Sequence, residues 1–508
     1  MFARTQPKFP DLSAYVGFLE ASGQLRRISV PVSTVLDVTE VHRRTIAAAG
    51  PALLFERPLL ADGSDSGMPL LTNVFGTVER VAWGLGTTPD RLGELGEMLA
   101  ELRAPRPPNG WRELRERWPL ARAVLGARPR SCDSAPVQRN VLKGTEADLF
   151  DLPIQTCWPD DAGPLITWPL VVTMPPDSDA ASQANVGVYR MQPLTRDRAI
   201  LRWLANRGGA RHHRMWRALG RDMPVAVVIG ADPAVMLAAV MPLPEQVGEY
   251  ALAGLVGGAR PRLANGVTVP LPVPAGAEIV IEGYVSVCET ALEGPFGDHT
   301  GYYGDQESFP VMQVTAITHR DNPTYMSTFT GRAPDEPSVL AEALAQVFAP
   351  LLRQQFPEIT DIWLPPETCS YRVAVVAFRK AYPGHARRLM MGLWSCLAQF
   401  TMTKIIIAVD PDIDYRDWKD VMWAVSTRAD PSRDLLVLAD TPVDTLDFAS
   451  PRPGLGGKLG IDATTKGPPE SSSSFPETMA MPAEVVARVD RLLDRLEAAA
   501  PGQARPGK

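Results

Sequence analysis

Residues 278–304 read EIVIEGYVSVCETALEGPFGDHTGYYG. The first ten alternate imperfectly between apolar and polar side chains, the pattern of a β-strand with one face buried. They lead into residues 289–304, where Glu289, Glu293, Asp298 and His299 stand among glycines at 294, 297, 301 and 304. Glycine lets a backbone approach a ligand closely or take a positive φ. Two carboxylates five residues apart in a turn-rich loop can face one cavity. There, burial and mutual repulsion would raise one proton affinity and leave a neutral acid able to donate. The same composition also makes an ordinary polar loop with Asp298 as a turn or cap residue, and the spacing leaves both open.

Outward from this segment, LITWPLVVTM, PVAVVIG and PVMQVTAITH are further short β-rich runs between about 135 and 330, separated by Pro, Gly and Asp turns. That spacing suggests a barrel or sandwich. Upstream, Asp11–Ser22 has an Asp cap, apolar Leu12, Tyr15, Val16 and Leu19 on one side, and Gly23 as terminator, which predicts a short amphipathic helix. ADGSDSG at 61–67 looks like a loop insertion, and the Pro- and Arg-rich stretch 104–129 marks a soft boundary near residue 125. Downstream, VLAEALAQVF, YRVAVVAF and KIIIAVD alternate as helix and strands of an α/β layer. KGPPESSSSFPE has linker composition. Beyond it, Val485, Val486, Val489, Leu492, Leu493 and Leu496 fall on one face of a tail helix that starts near Pro482. The expected division is 1–125, 126–335, 336–470 and 471–508.

The chain has 508 residues, 45% hydrophobic and 21% charged, enough for about three domains. A net charge of −7 with no long basic run argues against nucleic-acid binding. Five scattered cysteines without a C-x-x-C pair fit a reducing compartment. No apolar leader and no stretch of about 18 apolar residues occurs, so a cytoplasmic protein is expected; peripheral contact with a membrane stays open. The 49 prolines are nearly twice the usual share of about 5%.

A second cluster is ANVGVYRMQ (184–192) followed by AILRWLANRGGARHH (199–213). Asn185 and Arg190 lie five apart, and Arg190, Arg196, Arg198, Arg202, Arg207 and Arg211 precede or flank Gly208-Gly209. Guanidinium forks and a glycine pair suit a carboxylate or phosphate; the plainer alternative is a solvated basic helix face with His212 and His213 on the surface. No Walker loop, H-E-x-x-H or G-x-S-x-G elbow is present. DPDID after KIIIAV reads as an acidic cap after a strand rather than a metal loop.

LPIQTCWPDDAGPLITWPLVVT, NVGVYR, RWLANRGGA, EGYVSVCETALEGPFGDHTGYY, TGRAPDEPSVL and LDFASPRPGLGGKLGIDAT together resemble the UbiD family of prenylated-FMN-dependent decarboxylases. The resemblance runs along nearly the whole chain. It implies an α/β multidomain (α+β) fold, with a central split β-barrel of flavin-reductase type between an N-terminal α/β region and a C-terminal α/β domain. The activity it implies is non-oxidative decarboxylation of 3-polyprenyl-4-hydroxybenzoate to 2-polyprenylphenol in ubiquinone biosynthesis, through a covalent adduct with prenylated FMN.

By the same resemblance, Arg190, Glu293 and Asp298 form the acid–base group, with Asp298 the proton donor. Asn185 and Glu249 hold a divalent metal, usually Mn²⁺ with or without K⁺, and the metal holds the cofactor phosphate. Val188, Tyr189, Arg190, Arg202, Trp203, Leu204, Arg207, Gly208 and Lys404 contact the cofactor. Counting from Arg190 puts Gly208 where some relatives carry a metal-binding histidine. A flavin prenyltransferase supplying the cofactor, a homo-oligomer (often a hexamer) and docking on the inner face of the cell membrane are further implications. Three alternatives stand beside this: a decarboxylase of another aromatic or heteroaromatic acid, an idle flavin-binding scaffold for quinone-pathway enzymes, and a metal hydrolase using Asp298 and His299. The last lacks a ligand cluster of recognisable spacing.

Overall fold

A computed structural model describes residues 4–103, 110–178, 181–204, 207–241, 248–369, 371–396, 398–472 and 474–499. The chain divides into two compact units, Met1–Ala463 and Thr464–Lys508.

Helix α1 (Leu12–Ala21) forms as its sequence predicts. The Asp11 carboxylate accepts the Ala14 N–H at 2.8 Å, Leu12, Tyr15 and Leu19 are buried, and Gly23 ends the turn at φ +68°. It leads into β1 (Leu25–Ile28), which pairs in parallel with β2 (Ala52–Phe55); β2 pairs antiparallel with β3 (Leu70–Thr72). The 61–67 insertion is a loop closed on itself, the Asp62 and Asp65 side chains accepting the Ser64 and Gly67 N–H groups. Tyr325–Met326, far downstream, completes this sheet in parallel beside β3. Helix α2 (Trp111–Ala127) runs through residue 125.

The central sheet is built from β4 (Asn140–Lys143), β5 (Leu170–Thr173), β6 (Asn185–Val188), β7 (Met191–Thr195), β8 (Arg198–Leu201), β9 (Met223–Ile229), β10 (Ile279–Glu293) and β11 (Glu307–His319). Helix α3 (Gly208–Ala218) precedes β9 and helix α4 (Glu249–Gly257) precedes β10. The strand order is β7-β8-β11-β10-β9-β5-β6, with β4 added on β11, and every pair is antiparallel. All seven residues of β9 are buried, which accounts for its unbroken apolar run. The hydrogen-bonded path is open, so no closed barrel forms among the described residues. Its two end strands, β6 and β7, are nevertheless consecutive in the chain, parted only by Tyr189 and Arg190.

Strand β10 is the longest, and its register with β11 slips between Val285 and Thr290. A bulge of this kind bends a strand and re-aims its side chains. Residues 288–290 are exposed, yet Glu293 returns to the interior.

After Asp335, whose carboxylate accepts the Ser338 N–H in a capping box, helix α5 (Glu336–Gln355) opens the C-terminal layer. Its sheet holds β12 (Ile359–Trp363), β13 (Val373–Phe378), β14 (Ile405–Val409), β15 (Leu435–Pro442) and β16 (Leu455–Ala463), in the order β12-β13-β14-β16-β15; β13, β14 and β16 are parallel. In the DPDID stretch, Asp410 and Asp412 both accept from the buried Arg428 guanidinium. All five cysteines are free thiols.

In the second unit, helix α6 (Ala483–Ala499) leaves Val486, Val489, Leu492, Leu493 and Leu496 exposed. Among the described residues, no helix is long and apolar enough to cross a membrane.

A Cβ added at Gly283, beside the first slip in β10, would lie 2.1 Å from the backbone oxygen of Gln313 on β11. Because the obstacle is backbone, Gly283→Val is expected to lower stability by about 1–3 kcal/mol, read as a reduced urea midpoint with unchanged slope.

Candidate active site

Strand β10 delivers Glu293 into the interior, and the chain then turns through residues 294–304. The turn is held internally by Asp298 N–H to Tyr302 O (3.1 Å), Gly301 N–H to Asp298 O (2.8 Å) and Gly304 N–H to Phe296 O (3.0 Å). Gly301 sits at φ +80°, where a side chain would be strained. Two outside groups fix it further. The Asp161 carboxylate accepts the N–H groups of Gly297, Trp158 and Cys157 at 2.9, 2.8 and 3.1 Å, and Gln192 Oε1 accepts Gly294 N–H at 3.0 Å.

Arg190 faces this turn from the break between β6 and β7. Its Nε and Nη2 donate to Glu293 Oε1 and Oε2 at 2.6 and 2.9 Å, and its Nη1 donates to Asp298 Oδ2 at 2.7 Å. Glu293 is 1% exposed and Asp298 8%. The guanidinium lies 5.5 Å from the centre of the Phe296 ring. Arg202 Nε stands 3.7 Å from Glu293 Oε2, and its guanidinium lies over Phe309.

This geometry corrects two expectations. Glu289 and Glu293 belong to a strand, not to the loop, and Glu289 is exposed and paired with Arg198. Nor does repulsion raise Asp298. Burial does push its carboxyl up, but the His299 hydrogen bond and the Arg190 charge outweigh burial and hold it well below the usual carboxylate range. His299 moves the other way: burial lowers it, and the bond to Asp298, with Asp444 beyond, raises it above an ordinary histidine.

Around Asn185 a second group assembles. Tyr189 OH accepts from Gly209 N–H at 3.1 Å and from Asn185 Nδ2 at 3.4 Å, and the Trp203 ring meets the Tyr189 ring edge-on at 6.1 Å. Leu204 O accepts Arg207 N–H at 2.9 Å, and α3 begins at Gly208 with no side chain capping its first turn. A Cβ at Gly208 would lie 1.9 Å from Asn185 Oδ1, so a side chain here would have to displace the Asn185 amide. Val188 ends β6 beside this group. Glu249, first in α4, is pushed up to about 7 by burial, against backbone N–H groups of its own residue and Val186, and no described cation offsets it. Among the described residues, no three His, Cys, Asp or Glu side chains gather as a metal cluster.

Lys404 stands apart, in an ion pair with Asp447 at 3.0 Å that Arg372 joins at 3.3 Å. Of the six clustered arginines, Arg196 pairs with Asp148 and Arg198 with Glu289, away from the Arg190 group. His212 and His213 are buried, not on the surface: His212 Nδ1 bonds Thr173 Oγ1 at 2.9 Å and His213 Nε2 bonds Ser286 O at 3.0 Å, because α3 lies against the sheet. Gln192 and Asp161 were missed as site residues although both fall in the motif stretches: Gln192 follows Arg190 by two, the spacing that puts strand residues on one face.

The chain matches the family descriptions "3-octaprenyl-4-hydroxybenzoate carboxy-lyase N-terminal domain" over residues 16–99, "Rift-related domain" over 130–333 and "C-terminal domain" over 338–463. It belongs to the UbiD family of carboxy-lyases. The closed form of vanillic acid decarboxylase from Sedimentibacter hydroxybenzoicus is similar over 97% of this chain and 100% of its own, at 26% identity and a TM-score of 0.81. The UbiD-class enzyme HmfF from Pelotomaculum thermopropionicum, in complex with FMN, is similar over 94% and 99%, at 28% identity and a TM-score of 0.76. An evolved dimeric form of HmfF in complex with prFMN gives 94% and 98%, 28% and 0.73. The mixed α/β multidomain architecture is therefore that of UbiD enzymes, and the chain is a decarboxylase.

Removing one partner of a buried ion group leaves the others uncompensated. Arg190→Gln is expected to cost about 3–5 kcal/mol of stability at pH 7. The Asp298 carboxyl is depressed in the folded state, so its contribution is full above the unfolded value of about 3.9 and is lost as pH falls below that. Urea unfolding at pH 7 and pH 3 should show the gap between wild type and variant narrowing at the lower pH.

Proposed function

We propose that this chain decarboxylates 3-polyprenyl-4-hydroxybenzoate to 2-polyprenylphenol with prenylated FMN as cofactor. The observation that carries it is the single guanidinium, Arg190, shared by two buried carboxylates, Glu293 and Asp298. Cleaving an aryl carboxylate leaves an electron pair that no side chain can accept, and the cofactor, when bound, supplies that sink. The chain's own residues do the rest. Arg190 orients the substrate carboxylate, Glu293 fixes the guanidinium from behind, and Asp298 delivers the proton to the ring carbon that CO₂ leaves. The set also speaks against an idle scaffold, which has no use for a buried acid–base group.

The uncapped α3 N-terminus at Gly208 and the Tyr189–Gly209 contact suit a phosphate. Asn185 Oδ1 and the Glu249 carboxylate, which no described cation offsets, would hold a divalent cation such as Mn²⁺, with or without K⁺, and that charge would help to bind the cofactor phosphate. Val188, Trp203, Leu204, Arg202 and Arg207 would line the flavin, and Lys404 would reach it once released from Asp447. The meeting of β6 and β7 at opposite ends of one sheet supports a split barrel open at Tyr189–Arg190.

The family descriptions name a polyprenylated substrate, and exposed Leu292, Tyr302 and Phe448, the last two in edge-on ring contact, would form an apolar rim for such a tail. The similarity to a vanillic acid decarboxylase favours a smaller aromatic acid as the second reading; 4-hydroxybenzoate with and without a prenyl chain separates the two. A greasy substrate would bring the protein to the inner membrane face, and a flavin prenyltransferase would supply the cofactor. The bare apolar row on α6 would join copies into a homo-oligomer, a hexamer by family habit.

Asp298→Asn, co-expressed with a flavin prenyltransferase, is expected to keep the flavin absorbance and lose CO₂ release by at least about 10²-fold; full turnover would end the assignment. Deleting residues 476–508 should reduce the number of copies per particle measured by light scattering, and an unchanged oligomer would remove the tail's proposed role.

A further inference from the structure

Decarboxylation consumes a proton in every turnover, because the C–C bond to CO₂ breaks and a C–H bond takes its place. The geometry disfavours a proton resting on the residue that must deliver it: Arg190 and His299 both stabilise Asp298 as the anion. His299 meets Asp298 twice, its backbone N–H at 2.7 Å and its ring Nδ1 at 2.8 Å, both on Oδ1, while Arg190 takes Oδ2. The two oxygens thus face different partners, one toward the substrate-binding guanidinium and one toward a histidine.

The far side of the ring faces the C-terminal layer. His299 Nε2 is buried without a hydrogen-bond partner and stands 3.9 Å from Asp444 Oδ2. Tyr371 OH donates to that same oxygen at 2.7 Å, and its ring lies 6.4 Å from the imidazole. Arg372 stands 3.8 Å from Asp444, and Asp335, at the head of α5, also senses the histidine charge. The groups facing the imidazole are therefore the Asp298, Asp444 and Asp335 carboxyls, the Arg372 guanidinium and the Tyr371 hydroxyl.

We propose that His299 stores the catalytic proton and passes it from Nδ1 to Asp298 Oδ1 when the substrate carboxylate engages Arg190, Asp444 and Tyr371 holding the imidazolium ready and steering its reloading. The inference rests on the decarboxylase function proposed above. Its logic is charge balance. An arriving carboxylate competes for Arg190 and adds a negative charge beside Asp298, which raises the proton affinity of Asp298. The proton then crosses one hydrogen bond. Asp298 gives it to the ring carbon and returns to the anion, and neutral His299, which keeps its Nε2 proton on the Asp444 side, takes up the next proton at Nδ1.

The test uses the flavin-loaded enzyme. His299→Gln can still donate to Asp298 but cannot carry a proton. It is expected to keep KM and flavin absorbance while kcat falls about 10- to 100-fold, with the basic limb of the kcat profile displaced toward the carboxylate range. Imidazole should restore turnover to His299→Ala. A readout independent of activity is histidine-labelled NMR of the six-histidine chain: the resonance missing in His299→Gln should titrate above about 6.5 in wild type and move down in Asp298→Asn. Unchanged kcat and pH profile in His299→Gln, with Asp298→Asn inactive, would overturn the relay and leave the decarboxylase standing. Full turnover in Asp298→Asn would overturn both.

Discussion

Three hydrogen bonds from one guanidinium hold this site together: two from Arg190 to Glu293 and one to Asp298. Glu293 comes from the end of β10 and Asp298 from the turn that follows it, and the cation between them offsets the cost of burying both. Arg190 can serve both because it lies where β6 gives way to β7, outside either strand, so that its side chain projects across the break toward β10. The bulge in β10 completes the arrangement by turning Glu293 back inward after an exposed stretch. The same electrostatics lowers the proton affinity of the Asp298 carboxyl and raises that of the His299 imidazole beside it.

Under the proposed function, a site built this way responds to its substrate through charge. The aryl carboxylate is a third anion for a guanidinium that already serves two, and Glu293, held by two bonds and almost wholly buried, is the harder of the two to displace. Asp298 is the one that yields. Its other oxygen is tied to His299, and through His299 to Asp444 and Tyr371 on the C-terminal sheet. In the proposed relay the C-terminal layer takes part in the chemistry through Asp444 and Tyr371.

Much of the architecture is legible in the residues. The runs PVAVVIG and YRVAVVAF are strands because unbroken β-branched segments suit sheets covered on both faces, and α1 follows from Asp11, Gly23 and the apolar positions between them. The family motifs place Arg190, Glu293 and Asp298 in one site, and the structure brings those three within hydrogen-bonding distance. What periodicity does not disclose is direction. Glu289 and Glu293 are four apart, which suggests a shared face, but a bulge between Val285 and Thr290 and the pairing of Arg198 with Glu289 send one outward and the other inward. The depressed Asp298 carboxyl was equally illegible, because it depends on a cation 108 residues away in sequence. His212 and His213 look like a solvated pair until α3 is laid against the sheet.

The protonation state of Asp298 before substrate arrives is the point on which everything else turns. Carbon-13 NMR of aspartate side-chain carboxyls, in wild type minus Asp298→Asn and without substrate, reads it directly. Asp298 should remain ionised to a pH well below the free-aspartate value of about 3.9. A resonance that titrates above that free value would contradict the role assigned to Arg190 and His299.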